Sequence, residues 1–271
     1  MNIFITGGTT GIGLALTKYY LNQGHVVGIC GRNINKFYDV FPHIPPNVFF
    51  YEVDVVNREG LQDAIEDFSR KNAHSGNGGN GKLDLVIANA GMGLPSKTIF
   101  PDFVVAREMI DVNILGVMNT LEVAMKLMGS DGCSASGSGS GSGGHLVVIA
   151  SVAGFVGLPR TGMYSATKAF LLKLFESYAI DLKQHGFTFT AIAPGFVDTP
   201  LTRANKHPMP FLMSADKAAV LISKAIEKKK ELYIFPWQMK VLILSFYHLP
   251  RFIYRGLMRA YFNIFRPGYF S

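Results

Sequence analysis

The chain has 271 residues, of which 48% are apolar and 17% are charged, and its net charge is +7 at neutral pH. This composition excludes wholesale disorder, and the length permits one large α/β domain or two small ones. The positive charge is concentrated at residues 232–271, which hold five Lys and Arg residues and no acidic one. A general nucleic-acid-binding surface is therefore not indicated.

Short apolar runs rich in β-branched residues alternate with amphipathic segments along the first 235 residues. Strands are predicted at 2–6, 25–30, 48–51, 83–88, 145–150, 187–193 and 231–235, and helices at 12–22, 57–70, 103–128, 162–184 and 214–229. Strands that are apolar on both faces and alternate with helices predict a parallel sheet covered on both sides. We therefore expect one doubly wound α/β domain over 1–236, followed by a basic, apolar helical extension over 237–271.

Several other classes of structure are not supported. The first predicted strand begins at residue 2, so we expect no signal peptide and a cytoplasmic protein. The cysteines, Cys30 and Cys133, give no disulfide framework, and the scattered histidines give no metal-ligand pattern, so no metal is expected. Two Gly/Ser-rich tracts, 75–81 and 134–144, fall in helix-to-strand connections and are expected to be flexible loops away from any site.

A glycine-rich segment directly follows the first predicted strand and opens the first helix; it reads Thr6-Gly7-Gly8-Thr9-Thr10-Gly11-Ile12-Gly13. Glycines permit a tight turn and a close approach of the backbone to a pyrophosphate, and a helix N-terminus offers free N–H groups to the anion. The pattern alone could be a turn without a special role. Its position between strand one and helix one favours a dinucleotide site.

The spacing Thr-Gly-x-x-x-Gly-x-Gly resembles that of the short-chain dehydrogenases/reductases. Further motifs continue the resemblance in family order: Asp54-Val55, Asn89-Ala90-Gly91, Asn113, Ser151, Tyr164-x-x-x-Lys168, and Pro194-Gly195 with Thr199. Ala88 stands where the family has the first Asn of Asn-Asn-Ala-Gly. Each motif singly has a structural explanation, but their joint occurrence favours the family. The resemblance implies a Rossmann-like fold and a homodimer or homotetramer.

The resemblance also implies the site residues. Tyr164 would exchange a proton with the substrate oxygen, and Lys168, one helical turn away, would lower the pKa of that phenol. Ser151 would hold the substrate oxygen, and Asn113 would position a water in a proton relay. The implied cofactor-binding residues are Thr6, Gly7, Thr9, Gly11, Ile12, Gly13, Arg32, Asp54, Val55, Asn89, Ala90, Gly91, Tyr164, Lys168, Pro194, Gly195, Val197 and Thr199.

The end of the second predicted strand bears on cofactor choice. Gly31 stands where an acidic residue would bind the ribose 2′-hydroxyl of NAD, and Arg32 follows it. A guanidinium without a neighbouring carboxylate at position 31 suits the 2′-phosphate of NADP. Arg32 could instead be a surface residue in the loop that starts a helix, and neither Thr9 nor Thr10 supplies the extra basic residue of many NADP-preferring relatives. We therefore expect NADP, with NAD as the alternative.

Apolar side chains surround the expected substrate position. They lie in the segment 196–213 and before Tyr164, at Phe155, Val156, Leu158 and Met163. They favour a lipophilic substrate, although core packing of the same residues explains them equally well. The expected function is NADPH-dependent reduction of a lipophilic aldehyde or ketone. The alternatives are an NAD-dependent alcohol dehydrogenase and a non-catalytic, cofactor-binding regulatory protein.

The extension 237–271 combines basic and apolar residues. The apolar run 241–249 is far shorter than a membrane-spanning helix, and Pro250 interrupts it. From residue 251 onward, a helical wheel places Arg251, Arg255 and Arg259 on one arc; the apolar arc holds Ile253, Tyr254, Leu257, Tyr261, Ile264 and Phe265. This pattern is typical of a helix that lies in an anionic lipid interface. The alternative is a helix that packs on the sheet or across a subunit interface.

Overall fold

The computed structural model describes residues 1–74, 82–93, 100–129, 143–203 and 208–265. Cys133 and nearly all of the two Gly/Ser-rich tracts lie outside these ranges. The described chain contains a seven-stranded parallel sheet of order β3-β2-β1-β4-β5-β6-β9. Its strands are β1 (Asn2–Thr6), β2 (Val26–Gly31), β3 (Val48–Glu52), β4 (Leu85–Ala88), β5 (His145–Ile149), β6 (Thr188–Pro194) and β9 (Leu232–Phe235). Two short strands, β7 (Val197–Asp198) and β8 (Met213–Ser214), form a separate parallel pair.

Helices cover both faces of the sheet. Those in the described ranges are α1 (Gly11–Asn22), α2 (Ile34–Val40), α3 (Arg58–His74), α4 (Phe103–Ile110), α5 (Gly116–Gly129), α6 (Gly162–Asp181), α7 (Pro200–Arg203), α8 (Ala215–Glu227), α9 (Trp237–His248) and α10 (Arg251–Phe265). Helices α3, α5 and α6 contribute to one apolar core, and α1, α2 and α8 contribute to the other. Strands β1 and β4 are buried throughout, because each is covered on both faces.

The predicted doubly wound parallel sheet is confirmed, and all seven predicted strands are present within two residues at either end. The helix-like stretch predicted near 103–128 is helical from Phe103 to Gly129, but the π-helical turn at Asp111–Leu115, which divides α4 from α5, was not predicted. Helix α2, helix α7 and the β7–β8 pair were not predicted from the sequence. They are all short, so they carry little periodic signal.

The C-terminal extension packs on the domain. Met239 and Ile243 of α9 and Tyr254 of α10 are buried with Val152, Val156 and other apolar residues in a further cluster. The Tyr254 hydroxyl donates a hydrogen bond to the Gly157 carbonyl oxygen at 2.9 Å. In the described ranges, no helix combines the length and the hydropathy needed to cross a membrane. The extension therefore adds to the domain next to the segment that follows β5.

Candidate active site

A cleft of about 300 Å³ lies at the carboxyl ends of the strands, where the order of the sheet reverses between β1 and β4. Ligands of open α/β sheets bind at this position. Of the predicted site residues, Thr6, Gly13 and Asn113 do not line the cleft. The others all do: Gly7, Thr9, Gly11, Ile12, Arg32, Asp54, Val55, Asn89, Ala90, Gly91, Ser151, Tyr164, Lys168, Pro194, Gly195, Val197 and Thr199.

The glycine turn between β1 and α1 leaves no room for side chains at its glycine positions. Gly7 and Gly11 have φ angles of 68° and 55°, which favour glycine, and a Cβ on Gly13 would lie 2.2 Å from the Gly7 carbonyl oxygen. Helix α1 has no side-chain cap at Thr10 and no acidic residue in its first turn. The backbone at this end of the cleft can therefore approach an anion such as a pyrophosphate closely.

Thr6 and Asn89 hold the glycine turn in place. The Thr6 hydroxyl oxygen accepts hydrogen bonds from the backbone N–H groups of Asn89 and Ala90, at 3.0 and 3.1 Å. The Asn89 side-chain amide donates to the carbonyl oxygens of Thr6 and Gly7, at 2.9 and 3.1 Å. These bonds tie the end of β1 to the end of β4. The geometry therefore gives buried Thr6 a positioning role and not a direct contact with the cleft.

Two basic side chains lie at the far end of the cleft, where β2 ends. Arg32 is 75% exposed and its Nη1 lies 4.0 Å from the Asp54 carboxylate. Lys36, in the first turn of α2, also lines the cleft and was missed from the sequence. The Asn33 side chain caps α2 by accepting from the backbone N–H groups of Asn35 and Lys36. Helix α2 was not predicted, so the sequence pattern gave no sign that Lys36 reaches the cleft that Arg32 lines.

The predicted catalytic residues meet in the middle of the cleft. Tyr164 and Lys168 are one turn apart on α6, and Ser151 follows the end of β5. The Ser151 Oγ accepts a hydrogen bond from the Ala153 N–H at 3.1 Å, and the Ser151 side chain is close enough to the Tyr164 hydroxyl to lower the pKa of that phenol. Lys168 is only 5% exposed, and its Nζ donates to the Ile149 carbonyl oxygen at 2.8 Å and lies 5.8 Å from the centre of the Tyr164 ring.

The pKa values of this group depart from the sequence prediction. Burial raises the pKa of Tyr164 above its usual value, and the neighbouring Ser151 side chain only partly opposes this effect. Burial also lowers the pKa of Lys168 to about 8. The lowered pKa predicted for Tyr164 is therefore not produced by the chain by itself. The physical reason is that both groups are enclosed, and the ammonium group is bonded to the Ile149 carbonyl.

Asn113 lies in the π-helical turn, behind the wall of the cleft, and its side chain is fully buried. Its Oδ1 accepts from the Met92 N–H at 2.8 Å, and its Nδ2 donates to the Met92 carbonyl oxygen at 2.8 Å and to the Thr167 hydroxyl at 3.0 Å. The side chain thus joins the loop after β4 to α6. Its predicted role in holding a water stays a prediction, and the observed contacts support a positioning role.

Gly93 is a site residue that sequence reasoning missed. A Cβ at this position would lie 2.8 Å from two carbons of the Tyr164 ring. A Cβ on Gly91 would lie 3.2 Å from Asn113 Oδ1 and 3.5 Å from Lys168 Nζ. The loop after β4 therefore packs directly on the catalytic residues, and Gly93 fixes how closely it approaches the phenol. The only sequence signal was a second glycine two residues after the Asn-Ala-Gly motif.

The predicted substrate side divides into two parts. Phe155, Val156, Leu158 and Phe196 pack in the cluster that includes α9 and α10, as the packing alternative predicted. Other side chains of the segment 196–213 are exposed, namely Leu201, Phe211 and Leu212. Leu201 also lines the cleft. The strand pair β7–β8 closes the base of this segment, of which residues 204–207 lie outside the described ranges.

Comparison with known proteins agrees with this geometry. The sequence model of the short chain dehydrogenase family matches residues 1–209. The chain belongs to the short chain dehydrogenase family. The predictions of the family and of an NAD(P)-dependent dehydrogenase/reductase are therefore confirmed.

Relatives and solved structures cover most of the chain. An "Uncharacterized oxidoreductase" of Myxococcus xanthus is 33% identical over 240 residues, 88% of this chain and 88% of the relative. An "Uncharacterized oxidoreductase" of Staphylococcus aureus is 34% identical over 203 residues, 74% of this chain and 79% of the relative. The structure of ElxO with NADP bound is 25% identical with a TM-score of 0.72, covering 86% of this chain and 96% of that one. A short chain dehydrogenase of Burkholderia cenocepacia in complex with NADP has a TM-score of 0.76 at 20% identity, covering 95% and 96%.

Proposed function

We propose that the chain is an NADPH-dependent reductase that converts a lipophilic aldehyde or ketone to the alcohol. The observation that carries this proposal is the group of Ser151, Tyr164 and Lys168 that lines the cleft, in which the Lys168 ammonium is buried. Because burial raises the pKa of Tyr164, its phenol is protonated near neutral pH, and this is the form that can donate a proton to a carbonyl oxygen.

The cofactor would lie along the cleft, with its pyrophosphate at the glycine turn and its adenosine ribose between Arg32 and Lys36. The positive charges of Arg32 and Lys36 suit a 2′-phosphate, and Gly31 has no carboxylate that would repel it. ElxO, a structural neighbour at 25% identity, was solved with NADP bound, which supports this preference. Bound NADPH supplies the hydride.

The residues of the chain supply the proton and the orientation. The Ser151 hydroxyl holds the substrate carbonyl oxygen next to Tyr164, and the Tyr164 hydroxyl transfers its proton to that oxygen as the alcohol forms. The buried Lys168 ammonium stabilises the phenolate that results, since opposite charges attract strongly in a site with little water. The exposed apolar side chains of Leu201, Phe211 and Leu212 favour a lipophilic substrate.

The proton-transfer role is tested with the Tyr164→Phe variant, which removes one hydroxyl. We expect kcat for reduction to fall by about 10²- to 10⁴-fold, because the proton donor is lost, while NADPH binding is retained. Aldehydes and ketones of graded chain length, each with NADPH and NADH, are the substrates. Tyr51→Phe is the matched control, since its hydroxyl bonds Asp67, which lies on α3. Wild-type turnover in Tyr164→Phe would refute the mechanism.

The cofactor preference is tested with Arg32→Ala and Lys36→Ala. Each should weaken NADPH about 10- to 100-fold and NADH much less, because a hydrogen bond to a charged group contributes about 1.5–3 kcal/mol. Dissociation constants are measured by cofactor fluorescence, with Lys217→Ala on α8 as the control. Equal losses for the two cofactors would favour an NAD-linked alcohol dehydrogenase. Tight cofactor binding without turnover of any carbonyl or alcohol would favour the regulatory alternative.

A further inference from the structure

Helix α9 has an exposed apolar ridge on the face opposite its packing face. Met239 and Ile243 are buried against the domain, whereas Trp237 and Val241, one turn apart, are 71% and 57% exposed. A Trp side chain exposed to this degree contributes little hydrophobic stabilisation to the fold, because most of its large apolar ring stays in contact with water. The ridge therefore has no contact within the described chain that accounts for its composition.

Helix α10 repeats this arrangement. Of its predicted apolar arc, Tyr254 packs on the domain, but Ile253 and Leu257, one turn apart, stay exposed. Tyr261 is also largely exposed, and the side chains of Ile264 and Phe265 lie outside the description. The packing alternative for the extension thus accounts for only part of the apolar arc. The other part faces solvent beside the packed face.

The charges on these two helices are all positive. Lys240 of α9 and Arg251, Arg255 and Arg259 of α10 are exposed, and residues 232–271 contain no Asp or Glu. Within the described ranges none of these four side chains forms an ion pair, and Arg251 instead lies over the Tyr247 ring at 5.6 Å. We call these four basic residues together with Trp237, Val241, Ile253 and Leu257 the α9–α10 surface. Its exposed aromatic and aliphatic side chains are accompanied by positive charges that form no ion pair in the described ranges.

This combination restricts what can cover the α9–α10 surface. A symmetric contact with a second copy would place four cations against four cations with no carboxylate between them, which is unfavourable. An anionic bilayer offers both an apolar interior for Trp237, Val241, Ile253 and Leu257 and negative headgroups for the basic residues. We propose that the α9–α10 surface docks the enzyme on the surface of an anionic membrane.

The docking surface lies next to the substrate side of the cleft. Tyr254 is bonded to Gly157, and the Phe155 ring packs edge-on against Tyr247 at 5.9 Å between ring centres. Phe155 and Gly157 belong to the segment between Ser151 and α6. If the proposed function holds, an apolar carbonyl compound could pass from the bilayer into the cleft over a short distance. Membrane binding itself does not depend on that function.

The test is co-sedimentation of the full-length protein with vesicles, without cofactor or substrate. Vesicles of phosphatidylglycerol and phosphatidylcholine should bind the protein, and binding should weaken as salt rises. The double variant R255Q/R259Q should bind about 25-fold more weakly, since each basic residue near such a surface contributes roughly 5-fold. The matched control is K224Q/K228Q, which removes the same charge from the exposed end of α8 and should bind as the wild type does.

The apolar contribution is tested with I253S/L257S, which should weaken binding at every salt concentration while circular dichroism shows an intact fold. The Tyr164→Phe variant should bind vesicles as the wild type does, so a failure of the proposed reaction and a failure of docking are separate results. The proposal is overturned if the full-length protein does not sediment with anionic vesicles. It is also overturned if K224Q/K228Q loses as much binding as R255Q/R259Q, or if R255Q/R259Q changes the oligomeric state in sedimentation velocity.

Discussion

Replacing Asn113 with Ala tests whether this side chain holds the site together. The change removes three hydrogen bonds of 2.8, 2.8 and 3.0 Å and leaves the N–H and the carbonyl of Met92 without their partner. Each lost bond contributes about 0.5–1.5 kcal/mol, and a buried polar group left unpaired costs about 1–3 kcal/mol. Because Met92 is only half-buried, water can partly replace the amide. We therefore expect N113A to lower the free energy of unfolding by about 2–4 kcal/mol.

The measurement is urea unfolding followed by circular dichroism. The control is Asn119→Ala on α5, because the amide of Asn119 donates to the carbonyl oxygens of Val55 and Val56 but is less buried, so its loss should cost about 1 kcal/mol or less. A second variant, N113D, would place a carboxylate oxygen beside the Met92 carbonyl, and its raised pKa would make it more stable relative to wild type at pH 4 than at pH 7. A loss below about 0.5 kcal/mol in N113A would refute the inference that the Asn113 side chain holds the site together.

Three further predictions follow from the site and the core. Gly93→Ala should lower kcat at least about 10-fold with little change in stability, because the added Cβ would lie 2.8 Å from the Tyr164 ring and push the ring out of position. Unchanged steady-state kinetics would contradict this prediction. The value of kcat/KM for reduction should fall above about pH 8, where Lys168 loses its proton, and a flat profile to pH 10 would contradict it. Burial lowers the pKa of His145 to about 4, so the folded protein binds fewer protons than the unfolded chain between about pH 6.5 and 4. The free energy of unfolding should therefore decrease as the pH is lowered from 6.5 to 4. His145→Gln should flatten this dependence in urea titrations at each pH.

The sequence predicted the parts of the fold whose signal is local. Strands such as β4 and β5 are short apolar runs between polar segments, and the glycine turn carries its own conformational requirement. The π-helical turn could not be predicted, because the buried positions Met109, Asn113 and Val117 continue at helical spacing through it. From this turn Asn113 bonds Met92 and Thr167, and those contacts exist only after folding.

Side-chain surroundings were also beyond a linear pattern. The pair Tyr164 and Lys168 was identified from its spacing, but the direction of the Tyr164 pKa depends on how completely α6 and the loop after β4 enclose it. Likewise, the apolar arc of α10 was recognised from its period, although only the packed position of Tyr254 shows that the arc serves two surfaces. Periodicity locates the faces of a helix, and tertiary contacts decide what each face touches.

The π-helical turn at Asp111–Leu115 has a consequence for insertions and deletions. A π-helical turn contains one residue more than the same length of α-helix, so deleting a single residue here would leave a regular and unstrained α-helix. Because the wider turn takes up the extra residue, the deletion would leave α4 and α5 in nearly the same relative orientation and would remove only the widened turn that holds Asn113. Asn113 bonds Met92 and Thr167 from this turn, so its loss would reach the loop after β4 and the helix that carries Tyr164 and Lys168. A deletion that is neutral for the helix itself would therefore disturb the site, and we expect homologous chains to vary in sequence here more readily than in length.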